Sequence, residues 1–204
     1  SLIRSITVGE YRTGAVDPMQ IVSGPIGREQ VHYEAVPGAA VKAEMHAFLE
    51  WFNATRDGRM DGLLRAGLAH VWFESIHPFE DGNGRIGRAI VDLALAQDAR
   101  RSTRLHGVAT SMRRHQPAYY EALNDAQRGS GDVTPWLVWF LATYAEACRG
   151  TALLIEEALV RARFWAEHRA AVLNDSQRKV LNRMLDAGPG RFEGGLTARK
   201  YQVL

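Results

Sequence analysis

The chain is 204 residues long, 46% hydrophobic and 24% charged, with 25 basic against 23 acidic residues. Those proportions describe one ordinary globular domain with room for a small appendage, and they exclude collagen-like, disordered and disulfide-scaffold chains. A formal net charge of +2 gives no general argument for a nucleic-acid partner, which needs clustered basic charge.

Only Lys42, Lys179 and Lys200 are lysines, so 22 of the 25 basic residues are arginines. Arginine suits phosphate recognition because its guanidinium is a fixed planar fork, although a composition bias is the plainer cause. The single cysteine, Cys148, excludes an internal disulfide framework and any cysteine-based zinc site; in its helical run it reads as a small core residue. No run approaches the roughly 18 apolar residues of a membrane helix, and the N-terminus lacks a signal-peptide pattern. A cytoplasmic protein with no membrane partner is expected. The chain opens on Ser1 and stops at Leu204 inside a patterned segment, so it is expected to be a piece of a longer polypeptide.

From Ser1 to about Pro37 the sequence is Gly-rich and β-branched. Two short apolar stretches, Met19–Val22 and Val31–Tyr33, flank Ser23-Gly24-Pro25-Ile26-Gly27-Arg28, which reads as a hairpin. From Ala39 the period turns helical: Val41, Met45, Phe48, Leu49 and Phe52 form one stripe, ending near Asp57-Gly58. A second helix fits Asp61 to Ile76, with Leu64, Leu68, Val71, Trp72 and Ile76 at spacings of three and four. It is apolar on more than one face and is expected to be the most buried helix. After a Gly-rich break, Arg85 to Gln97 carries Ile86, Ile90, Leu93 and Ala94 on one side. Further helices fit Pro117 to Gln127, Pro135 to about Arg149 with Thr134-Pro135 as cap and first residue, Thr151 to about Arg169, and Ser176 to Asp186. The fold class expected is all-α, a helical bundle with one small β-hairpin.

The informative stretch is His77-Pro78-Phe79-Glu80-Asp81-Gly82-Asn83-Gly84-Arg85-Ile86-Gly87-Arg88. Pro78 disfavours helical geometry at His77, so the apolar helix ends there. The loop beyond tolerates positive φ and close backbone approach at Gly82 and Gly84, and it feeds directly into the next helix. Unpaired N–H groups at a helix N-terminus make an anion cradle. Arg85 and Arg88, three apart, can fork onto phosphate beside it. Asp81 is a lone carboxylate of the kind Mg²⁺ accepts when nucleotide and water supply its other oxygens, and His77 at the rim is placed to take a proton. Taken singly, each residue has a duller reading: His77 capping carbonyls, Asp81 and Asn83 forming turns, Phe79 as a core anchor, Glu80 facing solvent. Their conjunction in one ordered string overturns those separate readings.

That string resembles the signature of the Fic family, H-x-F-x-(D/E)-G-N-G-R-x-x-R, and matches every specified position. Val22 to Tyr33 resembles the β-hairpin flap of Fic proteins that carry an N-terminal extension, and Tyr119-Tyr120-Glu121-Ala122-Leu123 resembles the helix beside the adenine pocket. The resemblance implies a Fic fold around a central motif-bearing helix pair. It also implies transfer of AMP from ATP to a Ser, Thr or Tyr hydroxyl of a target protein. His77 would be the general base, Asp81 would hold Mg²⁺, and Gly82, Asn83 and Gly84 would cradle the phosphates. Arg85 and Arg88 would engage the β- and γ-phosphates. Tyr120 would pack beside adenine with Gln127 near the base, where some relatives have Asn. The flap residues Val31, His32 and Tyr33 would register a target segment by strand addition, and Phe79 would anchor the loop.

The resemblance assigns residues 1–37 to an N-terminal segment with the flap, 38–170 to the Fic helical core, and 171–204 to a C-terminal helix and linker into a truncated winged-helix module. Many relatives carry an inhibitory helix, (S/T)-x-x-x-E-(G/N); here Glu193-Gly194 comes closest, with Pro189 at the Ser/Thr position. The expectation is therefore autoinhibition by a region upstream and a derepressed fragment. Other Fic-type chemistry stays open: a different nucleotide or phosphate donor, or removal of AMP. So does a DNA-binding regulator with a Fic sensor domain, its DNA partner reached through a missing C-terminal module. Self-modification and a homodimer are the remaining partner expectations.

Overall fold

The computed structural model describes residues 8–14, 19–23, 28, 30–100, 107–188 and 196–197, with backbone alone at 21–23, 30 and 32. Among them are one antiparallel hairpin and seven helices: β1 (Gln20–Ser23), β2 (Gln30–Glu34), α1 (Gly38–Ala54), α2 (Gly62–Ile76), α3 (Asn83–Asp98), α4 (Val108–Arg114), α5 (Gln116–Arg128), α6 (Thr134–Glu167) and α7 (Asp175–Ala187). The all-α architecture with a small hairpin is what the residue pattern implied. The chain divides into two compact units, Ser1–Ala147 and Cys148–Leu204, with the boundary inside α6.

In the first unit α2 is the hub. Asp61 starts it, its carboxylate accepting from the N–H groups of Leu63 and Leu64 at 3.0 Å each. Its buried residues fall on every face: Arg65, Ala66, Gly67, Ala69, His70, Val71, Phe73, Glu74 and Ile76. On one side Phe48 of α1 packs edge-on against Trp72 and at a tilt against Phe73. A fully buried Phe contributes roughly 2–3 kcal/mol by removing its ring from water. On another side Trp136 of α6 stacks on His70 at 5.5 Å and donates its indole N–H to the Gly67 carbonyl at 2.8 Å. A Cβ at Gly67 would sit 2.9 Å from Leu137 and 3.0 Å from Phe140, so glycine is what lets α6 approach. Arg65 is buried by donating to the Phe52 carbonyl and to Gln97.

Four details differ from the periodicity. Leu49 and Leu64 face solvent: α1 buries Val41, Met45, Phe48 and Phe52, and α2 buries small and polar residues such as Ala66, Gly67, Ala69 and His70 instead. The inward stripe of α3 is Asn83, Gly87, Val91, Ala94 and Leu95, leaving Ile86 and Leu93 exposed; a glycine at the α2 contact rotates the helix away from its aliphatic side. The segments expected as two helices on either side of Gly150 are one helix, α6, since an isolated glycine costs a helix only about 1 kcal/mol. Short α4 carries too little pattern to be seen in the sequence.

The hairpin pairs Gln20 with Glu34, Ile21 with Tyr33, Val22 with Val31 and Ser23 with Gln30, with a bulge between Ile21 and Val22 that leaves one residue of β2 over. The expected turn residues Gly24 to Gly27 lie outside the described residues. In the second unit, Trp165 donates its indole N–H to Asn182 at 2.9 Å, Arg161 pairs with Asp186 at 2.8 Å, and Asn174 and Gln177 form a reciprocal capping box on α7. Cys148 is half-buried, against the core position its helical run suggested. The Gly-rich stretch 189–195 lies outside the described residues.

Candidate functional site

The loop between α2 and α3 is built by two backbone events. His77 caps α2 in the left-handed region, φ 49° and ψ 59°, and Pro78 follows it. Gly82 then turns back through φ 87° as the N-cap of α3, a conformation glycine adopts without a Cβ penalty. The N–H groups of Arg85 and Ile86 both bond the Gly82 carbonyl at 3.0 Å, so α3 starts directly on the loop.

Asn83 clasps that loop shut. Its Nδ2 donates to the Phe79 carbonyl at 2.7 Å, and its Oδ1 accepts the Phe79 N–H at 3.0 Å. The Asn83 side chain is buried and engaged with protein backbone. With Arg85 and Ile86 bonded to the Gly82 carbonyl, the N–H groups of Asn83 and Gly84 are those of the first turn that have no acceptor within the helix. Phe79 is half-buried against Tyr11, at 5.5 Å between centroids, and against Phe73, which anchors the loop to the core.

Two guanidinium groups lie over the glycines. Arg85 Nη2 comes within 3.4 Å of the point where a Gly82 Cβ would stand, and Arg88 Nη1 within 3.2 Å of the same point at Gly84. Arg85 also pairs with Asp81 at 3.1 Å, both side chains being largely exposed. The helix N-terminus and both arginines thus present positive charge to one short backbone segment.

His77 is held from behind by Arg12, a residue the sequence pattern did not reveal. Arg12 Nε donates to the His77 carbonyl at 2.7 Å, and its Nη2 donates to the carbonyls of Ile76, at 2.9 Å, and Val36. The Arg12 backbone N–H donates to the Pro78 carbonyl at 2.9 Å. One buried guanidinium therefore satisfies carbonyls at the end of α2 that the helix cannot. An arginine 65 residues away in sequence gives no local signal of this task. Burial pushes the His77 imidazole down to about 4, the Arg12 charge acting in the same direction and the Glu74 carbonyl against it. The ring is neutral at pH 7, as a proton acceptor must be.

Glu74, one turn before His77, was not singled out in the sequence either. It is buried, and burial raises its carboxyl to about 7, with the charge of Arg88 opposing. Glutamate in a mixed-face helix reads as a surface residue, so burial was the missing signal.

On α5, Tyr119 is buried and bonds His70 Nε2 through its hydroxyl at 2.9 Å. Its neighbour Tyr120 is about one-third exposed. Gln127 Nε2 is buried with no hydrogen-bond partner. In β2, Val31 is partly exposed, and its carbonyl accepts from Arg128 Nη2 of α5 at 2.9 Å. Tyr33 is half-buried, and the His32 side chain lies outside the described atoms. Among the described residues no group of three or more His, Cys, Asp or Glu side chains could hold a metal. No helix among them is long and apolar enough to cross a membrane.

Comparisons with known proteins converge on one family. Residues 1–95 match the family model described as Fic/DOC family. A protein adenylyltransferase Fic of Culex quinquefasciatus is 31% identical over 137 residues, covering 65% of this chain and 25% of that protein. A probable protein adenylyltransferase of Aquifex aeolicus is 32% identical over 94 residues, 46% of this chain and 26% of its own length. The crystal structure of a Fic family protein from Desulfovibrio desulfuricans superposes with a TM-score of 0.58 at 26% identity, over 99% of this chain and 51% of that one. The chain spans about a quarter of the curated relatives it matches.

Proposed function

From the match of residues 1–95 to the Fic/DOC family model we propose that the chain is a protein adenylyltransferase, moving AMP from ATP to a Ser, Thr or Tyr hydroxyl of a target protein. The observation that carries this reading is a neutral histidine at the rim of a glycine loop overlaid by two guanidinium groups at a helix N-terminus. Relatives of similar sequence named as protein adenylyltransferases support it.

His77 takes the proton of the target hydroxyl as the oxygen attacks the α-phosphorus in line, which a positioned base accelerates by roughly 10²–10⁴. The bond from phosphorus to pyrophosphate breaks, and the leaving group carries away the electron pair. Arg85, Arg88 and the N–H groups of Asn83 and Gly84 at the start of α3 hold that developing charge, so catalysis is positioning plus electrostatics.

The donor set fits one divalent cation with a single protein ligand: Asp81 is an exposed carboxylate, and the ion's other oxygens would come from nucleotide and water. Bound there, Mg²⁺ would neutralise phosphate charge. Asp81 and Arg85 are paired with each other, and a Mg²⁺–nucleotide offers each a new partner of opposite charge. Tyr120 and the Gln127 amide suit an adenine subsite, because a buried unpaired donor has a hydrogen bond to give. The β2 strand at Val31, His32 and Tyr33 suits main-chain pairing with a target segment, a mode that leaves side-chain identity loosely specified.

The test is mass spectrometry of a lysate incubated with isotopically labelled ATP and Mg²⁺, comparing the chain with His77→Ala. The expected result is an AMP adduct on protein hydroxyls made by the wild type and absent with the variant. An adduct that persists with His77→Ala overturns the assignment of the base, and no adduct with either overturns the activity.

A further inference from the structure

Three buried polar atoms on one side of α2 and at its end have no hydrogen-bond partner: His70 Nδ1, Glu74 Oε1 and His77 Nδ1. Buried polar groups are nearly always satisfied, so each such exception calls for a reason. Glu74 is the least expected of them. Its side chain is 5% exposed, in a helix whose other contacts are apolar or tightly bonded, and a carboxylate there costs stability unless something engages it.

What lies within its reach is His77. Glu74 Oε2 stands 3.9 Å from His77 Nδ1, three residues along the same helix. The His77 ring keeps 18% of its surface exposed while Nδ1 is buried, so its accessible edge is away from Glu74. His77 Nδ1 faces both the backbone carbonyl and the carboxylate of Glu74; the carboxylate oxygen on that side, Oε2, stands about one ångström beyond hydrogen-bond distance, and the other oxygen, Oε1, is the one without a partner. The packing fixes the carboxylate there: a Cβ at Gly87 of α3 would fall 2.3 Å from Glu74 Oε1 and 3.2 Å from His70 Cε1. The charged and titratable groups facing the pair are Arg12 from the N-terminal segment, Arg88 from α3, Tyr119 from α5 and His70 on α2 itself.

We propose that Glu74 is the positioning residue of His77: its carboxylate accepts the Nδ1–H, fixes the tautomer whose Nε2 lone pair meets the target hydroxyl, and holds the imidazolium that forms. This deepens the reading of His77 as base and rests on it. In the step itself the hydroxyl proton moves to Nε2, the oxygen's electron pair forms the bond to the α-phosphorus, and the bond to pyrophosphate breaks with its pair going to the leaving group. Glu74 exchanges no atom with substrate; it supplies negative charge on the far side of the ring. Arg12 and Arg88 oppose or screen that charge, which makes the ionisation of Glu74 the point at which His77 becomes a stronger base. Because burial places that ionisation near 7, transfer is expected to rise across neutral pH.

Two measurements test this on the 204-residue chain. The first needs no nucleotide: ¹⁵N-detected imidazole resonances followed from pH 5 to 9. A His77 signal in the Nδ1–H tautomer that shifts with a midpoint near 7 in the wild type, and loses that shift in Glu74→Gln, is the expected result. A ring protonated at Nε2, or one that senses no titration near 7, overturns the proposal. The second is the pH profile of AMP transfer. The wild-type kcat is expected to rise about tenfold or more between pH 6 and 8, while Glu74→Gln stays flat at the low-pH value with its KM for ATP unchanged. A Glu74→Gln profile matching the wild type overturns the proposal and leaves the His77 assignment intact. Loss of the adenylyltransferase reading is registered separately, by the His77→Ala comparison, and leaves the imidazole titration as an independent measurement.

Discussion

The amide of Asn83 faces inward and uses both its polar ends on Phe79, donating to its carbonyl and accepting from its N–H. That reciprocal pair fixes residues 79 to 83, and with them the point where α3 begins and where Arg85 and Arg88 reach the glycines. Asn83→Ala leaves two backbone groups of a half-buried residue without partners, which costs about 1–3 kcal/mol. Asn83→Asp keeps the acceptor for the Phe79 N–H and loses the donor, so it falls between the two. Urea unfolding midpoints should rank wild type, then Asp, then Ala, with AMP transfer falling in the same order. Equal midpoints for Ala and wild type would mean that the loop is held by other contacts.

The helix α2 and its contact with α3 show where sequence reading succeeds and where it stops. Existence and position of α2, α3 and α5 were legible because their apolar spacing and the Pro78 and glycine breaks act locally. The 77–88 segment stood out as an ordered string, and the structure folds it as the cap of α2, a short loop and the start of α3. What could not be read was which residues face inward. On α2 the surface facing α3 is His70 and Glu74 rather than Leu64, and on α3 it is Gly87 rather than Ile86. Close approach of helices selects for small side chains, and a buried carboxylate looks like a surface one until its neighbours are known. Arg12 and Glu74, which bracket His77, were invisible for that reason. The helix contact can be tested through its glycine. Gly87→Ala places a Cβ 2.3 Å from the Glu74 carboxylate and 3.2 Å from the His70 ring, so the Glu74 side chain or α3 itself must shift, at about 1–3 kcal/mol for overpacking, and AMP transfer should fall with it. Gly150→Ala meets nothing within 4 Å and should instead stabilise α6 by about 0.5–1 kcal/mol. Thermal melts of the two variants moving in the same direction would refute this account of the α2–α3 contact.

For the whole molecule, the buried polar line along α2 sets how stability responds to pH. Burial holds both His70 and His77 down at about 4, whereas an unfolded histidine protonates near 6.5. Their contribution is full above 6.5 and is lost as pH falls through 4, because the unfolded chain binds the protons first. Glu74 acts in the opposite sense. Its carboxyl stays protonated in the fold up to about 7, so its contribution is full below the ordinary glutamate value of about 4.3 and is lost as pH rises through 7. Between about 6.5 and 4.3 two histidines lose stability while one carboxyl gains it, and the balance follows the histidines. Asp132 and Glu146, both held below their ordinary values by Thr134 and His115 respectively, act only at lower pH. Unfolding free energy should therefore peak between pH 6.5 and 7 and decline by about 1.4 kcal/mol per pH unit towards pH 4.5. Glu74→Gln removes the opposing contribution, so its decline should be about twice as steep. Denaturant melts of both proteins at half-unit steps measure the two slopes. A wild-type slope of zero in that window would show that the two histidines are not held neutral by the fold, and equal slopes would show that Glu74 titrates as an ordinary surface carboxylate.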